Sequence, residues 1–214
     1  MNDINKRFFE IGVVPVIKLN FPDRDAVPLA KALCEGGLPV AEVTFRAAGA
    51  DRAISAMRKA CPDMTVGAGT VLTSEQAETA VKAGAQFIVS PGFSAALADA
   101  CKALGVPYFP GVTTATEYMA ALPYGFETVK FFPAEQSGGV AKIKALSAPF
   151  PMFKVMPTGG ISLSNLEEYL SCPAVAACGG SYMVKPEDVE SGNWEKIKDI
   201  CRKTRETVLK VRGK

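Results

Sequence analysis

The sequence predicts an α/β fold: a closed (β/α)8, TIM-type barrel with an N-terminal helix, residues 1–214 forming a single domain. Three observations lead there. Short apolar, β-branched runs recur about every 20–27 residues, the length of a strand, a helix and two short loops. Eight such runs occur, with no linker, composition shift or low-complexity stretch to divide the chain. The runs are nearly continuous in apolar residues, as expected of parallel strands covered on both faces. Eight units without an obvious reversal of order favour a closed barrel over an open doubly wound sheet.

In chain order, Asn2 to Ile11 reads as a capping helix ahead of the first strand. Strands are expected at residues 13–18, 40–45, 65–70, 87–90, 107–110, 128–132, 153–157 and 175–178. Between them, residues 25–36 read as a helix stopped by Gly36. Residues 74–84 open on Ser74, a candidate cap, and place Ala77, Ala80 and Val81 on one face. Residues 94–105 and 162–170 repeat that pattern, Ser137-Gly-Gly139 opens another helix, and residues 194–211 read as a long final one.

Composition narrows the chemistry. Lys and Arg number 24 against 22 Asp and Glu, a formal net charge of +2 that gives no argument for nucleic acid as a partner. Nowhere do 18 apolar residues follow one another, and the charged N-terminus has no apolar signal core, so neither a membrane span nor secretion is expected. Six scattered cysteines without a CxxC pair read as reduced thiols of a cytoplasmic protein. The complete absence of histidine excludes Ser-His and Cys-His nucleophile pairs and any metal site that needs imidazole. Lys, Glu, Asp, Tyr, Cys and backbone groups remain, and no metal or cofactor is expected.

In barrels of this type the active site forms at the carboxyl ends of the strands. There the sequence places Lys130 inside the apolar run Val129 to Phe132, ahead of Pro133, which stops the strand. Removing an ammonium from water costs several kcal/mol, so a buried lysine tends to lose its proton, and a neutral amine attacks ketones. Lys18, also at a strand end, is the one rival nucleophile and fits a substrate-binding role as well. Glu42, Thr44 and Arg46 share one side of their strand by alternation. Glu42 could serve as a general acid or base, or pair structurally with Arg46 or Lys130; Arg46 offers a planar fork for a carboxylate. Thr158-Gly159-Gly160 and Gly179-Gly180-Ser181 follow the last two strands, the usual phosphate site of this architecture. Gly67-Ala68-Gly69 leaves room inside the barrel, or serves close strand packing.

These segments together resemble the 2-keto-3-deoxy-6-phosphogluconate (KDPG) / 4-hydroxy-2-oxoglutarate (KHG) aldolases, class I enzymes on a (β/α)8 barrel. The resemblance lies in Gly37 through Glu42 to Arg46, in Gly125 through Lys130 to Gly138, and in the shorter segments Gly67–Val71, Ser90–Gly92, Pro157–Ile161 and Gly179–Ser181. It implies a Schiff base on Lys130, proton transfer by Glu42, and a pyruvate carboxylate held by Arg46 and Thr70 between walls formed by Pro91 and Phe132. Thr158 would meet the hydroxylated part of the substrate, and Gly159, Gly160, Gly180 and Ser181 its phosphate. It also implies a small phosphorylated keto-acid substrate and a homotrimer. Ala47 and Tyr182 depart from the threonine and tryptophan common in relatives. Alternatives are the epimeric 2-keto-3-deoxy-6-phosphogalactonate aldolase, a phosphosugar isomerase or epimerase, and a catalytically silent phosphate-binding module.

Overall fold

A computed structural model describes residues 3–213, and the hydrogen-bonded strand pairs in it are parallel. Asn2, where the first helix was expected to begin, and Lys214 lie outside the described residues. Helix α1 (Asp3–Ile11) leads into β1 (Val13–Ile17), and strands then alternate with helices. The succession is α2 (Pro22–Glu35), β2 (Val40–Thr44), α3 (Ala50–Ala60), β3 (Thr65–Gly69), α4 (Ser74–Lys82), β4 (Ile88–Val89) and α5 (Ala95–Ala103). After it come β5 (Tyr108–Phe109), β6 (Gly111–Val112), α6 (Ala115–Ala121), β7 (Thr128–Phe131), α7 (Gly139–Ser147) and β8 (Lys154–Pro157). The chain ends through α8 (Leu166–Leu170), β9 (Cys178–Gly180), α9 (Pro186–Glu190) and α10 (Trp194–Arg212). Every residue of β1, β2, β3 and β7 is buried, as expected of parallel strands covered on both faces.

The fold is α/β with parallel sheets, and its ladders form two sheets instead of one ring. Six strands run in the order β5-β4-β3-β2-β1-β9, and three in the order β6-β7-β8. The fifth expected strand is split at Pro110, which has no N–H to give to a ladder. Its first part pairs with β4 and its second with β7, while the Pro110 carbonyl accepts from Lys130 N at 2.8 Å. The last strand also lies later than expected, at Cys178–Gly180 instead of 175–178, so Gly179 and Gly180 belong to the sheet and not to a loop. Only single bridges, Val155 to Val175 and Thr158 to Gly179, join it to β8. The helix expected over 162–170 is confined to Leu166–Leu170, because the Asn165 side chain folds back to accept from Ser162 N at 2.8 Å.

The amino ends of the strands are closed by an aromatic cluster. Phe8 of α1 meets Phe87 edge-on at 4.9 Å and Phe109 at 5.0 Å between ring centroids. Gly67 is required here: a Cβ on it would lie 2.5 Å from the Phe87 ring. At the opposite edge of the chain, α10 packs Val208 onto Gly12, and Arg205 donates to the Glu10 and Ile11 carbonyls at 2.7 and 3.2 Å. The last helix thus satisfies the free carbonyls at the end of the first. Among the described residues no helix is long and apolar enough to cross a membrane.

Candidate active site

Lys130 and Glu42 come from β7 and β2, strands 88 residues apart in sequence, and meet inside the molecule. Lys130 Nζ donates to Glu42 Oε1 at 3.3 Å; Lys130 is 4% exposed and Glu42 is fully buried. Of the readings left open for Glu42, the ion partner is therefore Lys130 and not Arg46. Space for the carboxylate comes from Gly69, where a Cβ would strike Glu42 Oε1 and lie 2.5 Å from its Cγ. Removing either partner strands a buried charge, a loss of about 3–5 kcal/mol. Glu42 Oε2 has no hydrogen-bond partner among the described residues, so this oxygen is left to exchange a proton. The Phe132 ring centroid lies 5.2 Å from Lys130 Nζ, forming an aromatic wall.

At the end of β2, Thr44 donates to the Ile17 carbonyl at 2.8 Å, and its hydroxyl accepts from Arg46 Nε at 3.3 Å. This hydroxyl steers the guanidinium from below. Beyond β8, Gly159 and Gly160 take φ of +99° and +81°, values that side-chain-bearing residues rarely adopt. Thr158 reaches β9 so closely that a Cβ on Gly179 would collide with its hydroxyl. Arg46, Phe132, Thr158, Gly159, Gly160, Gly180 and Ser181 line one cavity of about 170 Å³. A wider cleft of about 400 Å³ continues from it past Arg46 and Ser181 to Lys18 and Lys185. Three cations, Arg46, Lys18 and Lys185, and the glycine turn Gly159–Gly160 suit an anionic ligand.

Seven of the eleven expected site residues thus line one cavity, and Lys130 and Glu42 form the buried pair. Thr70 and Pro91 do not line that cavity. Thr70 follows β3 with φ of 54°, a left-handed conformation uncommon for a β-branched residue. The Pro91 carbonyl packs against Gly111 of β6, where a Cβ would overlap it. Sequence reasoning missed Val16 and Ile161, which complete the cavity lining as ordinary apolar residues. At the departure Tyr182, the hydroxyl pairs with Thr204 of α10 at 2.9 Å and the ring backs Gly180. Burial pushes this phenol well above its usual range.

A family model described as "KDPG and KHG aldolase" matches residues 4–200. The chain belongs to this family. Among its KDPG/KHG aldolase relatives is the 2-dehydro-3-deoxy-phosphogluconate aldolase of Treponema pallidum (strain Nichols), 48% identical over 92% of this chain and 94% of the relative. KDPG aldolase from Legionella pneumophila, solved with pyruvate captured as a covalent carbinolamine, superposes with a TM-score of 0.90 at 41% identity, covering 94% of this chain and 97% of that one. The Zymomonas mobilis ZM4 KDPG aldolase, solved with 3-phosphoglycerate, gives 0.88 at 37% identity over 95% of each chain.

Proposed function

We propose that the protein is a class I aldolase cleaving KDPG to pyruvate and glyceraldehyde 3-phosphate, and KHG to pyruvate and glyoxylate. The observation that carries this reading is the buried Lys130–Glu42 pair, with Phe132 over the lysine also lining the cavity that holds Arg46 and the Gly159–Gly160 turn. With its proton passed to Glu42, the Lys130 amine adds to the substrate ketone carbon, and the resulting carbinolamine loses water to give an iminium. Glu42 supplies the proton that leaves with that water. It then takes the proton of the C4 hydroxyl as the C3–C4 bond breaks. The bonding electrons move into the iminium, leaving an enamine and a free aldehyde. Protonation of the enamine at C3 and hydrolysis return pyruvate and the free lysine.

In this reading Arg46 and Thr70 hold the pyruvate carboxylate, Pro91 and Phe132 flank it, and Thr158 meets the C4 hydroxyl. Gly159, Gly160, Gly180 and Ser181 take the phosphate. The two sheets act as one closed (β/α)8 barrel in a single domain of residues 1–214. Closure is supported by the shared segment 108–112 on one side and the bridges from β8 to residues 175 and 179 on the other. The assembly is a homotrimer, working in the cytoplasm with its six cysteines reduced. A light-scattering mass of one 22.6 kDa chain would refute the trimer.

Borohydride reduction in the presence of pyruvate, followed by peptide mapping, tests the mechanism. The expected result is a reduced pyruvyl adduct on Lys130. An adduct on Lys18 instead would overturn the site, and none in folded, active protein would overturn the reaction class. Comparing cleavage of the gluconate and galactonate epimers gives the substrate preference.

A further inference from the structure

The Gly159–Gly160 loop is held from outside by residues that take no part in the chemistry above. Past the ends of β7 and β8 the ladder continues: Ala134 N donates to the Thr158 carbonyl at 2.8 Å and Glu135 N to that of Gly159 at 3.1 Å. The Glu135 side chain then lies flat against the Gly160 backbone, where a Cβ would come within 2.7 Å of its own Cβ. Its carboxylate accepts a hydrogen bond from the Tyr169 hydroxyl. Tyr169 belongs to α8 and is 1% exposed, so it is a fixed anchor. Four residues earlier, Asn165 donates to the Gly160 carbonyl at 3.0 Å. Positions four apart share a helix face, so one short helix grips the loop twice, once directly and once through Glu135.

We infer that Tyr169 and Glu135 are positioning residues that set the Gly159–Gly160 loop for the phosphate end of the substrate and leave the pyruvate end untouched. The inference rests on the aldolase reading and deepens it. Glu135 stands five residues after Lys130 on the same segment, so the pair fixes the distance between the covalent anchor and the distal anion site. Without the Tyr169 hydroxyl, the Glu135 carboxylate is free to swing toward Gly160, where its charge opposes a phosphate. The five-carbon substrate ends before that loop and is indifferent to the change.

The test measures KM and kcat for both substrates in Tyr169→Phe, Glu135→Ala and Glu135→Gln. Loss of one hydrogen bond predicts that Tyr169→Phe raises KM for the phosphorylated substrate about three- to tenfold. Its kcat, and both constants for the unphosphorylated substrate, stay within about twofold. Glu135→Ala strips away the side chain that packs on the Gly160 backbone, so the loop loses its brace and the same KM rises; combining it with Tyr169→Phe adds little further. Glu135→Gln keeps an acceptor for the hydroxyl and holds KM at or below the wild-type value. Equal changes for both substrates, no change, or a fall in kcat alone would each overturn the inference. Pyruvate trapping on Lys130 in the same preparations separates the two failures. Adducts without a KM split sink the positioning role alone, whereas no adduct even in the wild type sinks the aldolase reading and this inference with it.

Discussion

Gly67 and Gly69 sit two residues apart on β3, and each clears space for a side chain of opposite character. Towards the amino ends of the strands, Gly67 admits the Phe87 ring into the cluster with Phe8 and Phe109. Towards the carboxyl ends, Gly69 admits the Glu42 carboxylate that meets Lys130. The same small residue serves a closed apolar seal at one end and a charged pair at the other. Only the first arrangement gains from removal of water; the second bears the cost of desolvating two charges. On the aldolase reading, stability and chemistry are thereby assigned to opposite ends of one strand, β3.

Substitutions at the two ends should separate cleanly. The largest effect belongs to Lys130→Ala, which is expected to abolish cleavage of either substrate in a pyruvate-coupled assay. Glu42→Gln keeps shape and burial but cannot shuttle protons, and should lower kcat by roughly 10²–10⁴-fold; an unchanged rate would remove Glu42 from that role. At the other end, Phe8→Ala should cost about 3–5 kcal/mol in denaturant unfolding while leaving kcat within about twofold. A large loss of kcat there would show that the two ends are not independent.

The smallest effect sharpens the comparison within the carboxyl end itself. Burial acts to raise the pKa of Glu117, yet hydrogen bonds from Thr113 and Thr114 outweigh it and hold the carboxyl below its usual range. It completes the capping box of α6 with Thr114. A lowered folded value means that this contribution is full above about pH 4.5 and is lost as acidification passes through the folded pKa. Glu117→Gln should therefore cost about 0.5–1 kcal/mol at neutral pH. Its unfolding curve should converge on that of the wild type in acid, with activity unaffected. A constant offset at every pH would show that the charge is irrelevant.

Much of this was legible in the sequence because it broke a local rule. Lys130 stood out as a charge in an apolar strand, and the Gly159–Gly160 pair as glycines where a strand should turn. The break at Pro110 was not read, because proline at a strand end and proline inside a strand look alike until the pairing partners are known. The last strand was placed too early for a related reason: Val175–Cys178 is the more apolar run, but Gly179 alone lets Thr158 approach. Glu135 and Tyr169 gave no signal, since an exposed glutamate and a buried tyrosine 34 residues apart are ordinary until the fold joins them.

The pairing of β1 with β9 has a consequence for synthesis. Val13 finds its partner only at Cys178, and Arg205 caps the first helix from near the very end of the chain. At about 5–20 residues per second, a ribosome needs roughly ten to thirty seconds to deliver that second neighbour. Until then one edge of the first strand stays unpaired, open to any other extended segment nearby. β1 is made long before its second neighbour and is sealed late, so its safety during translation depends on whatever shields that edge in the interval.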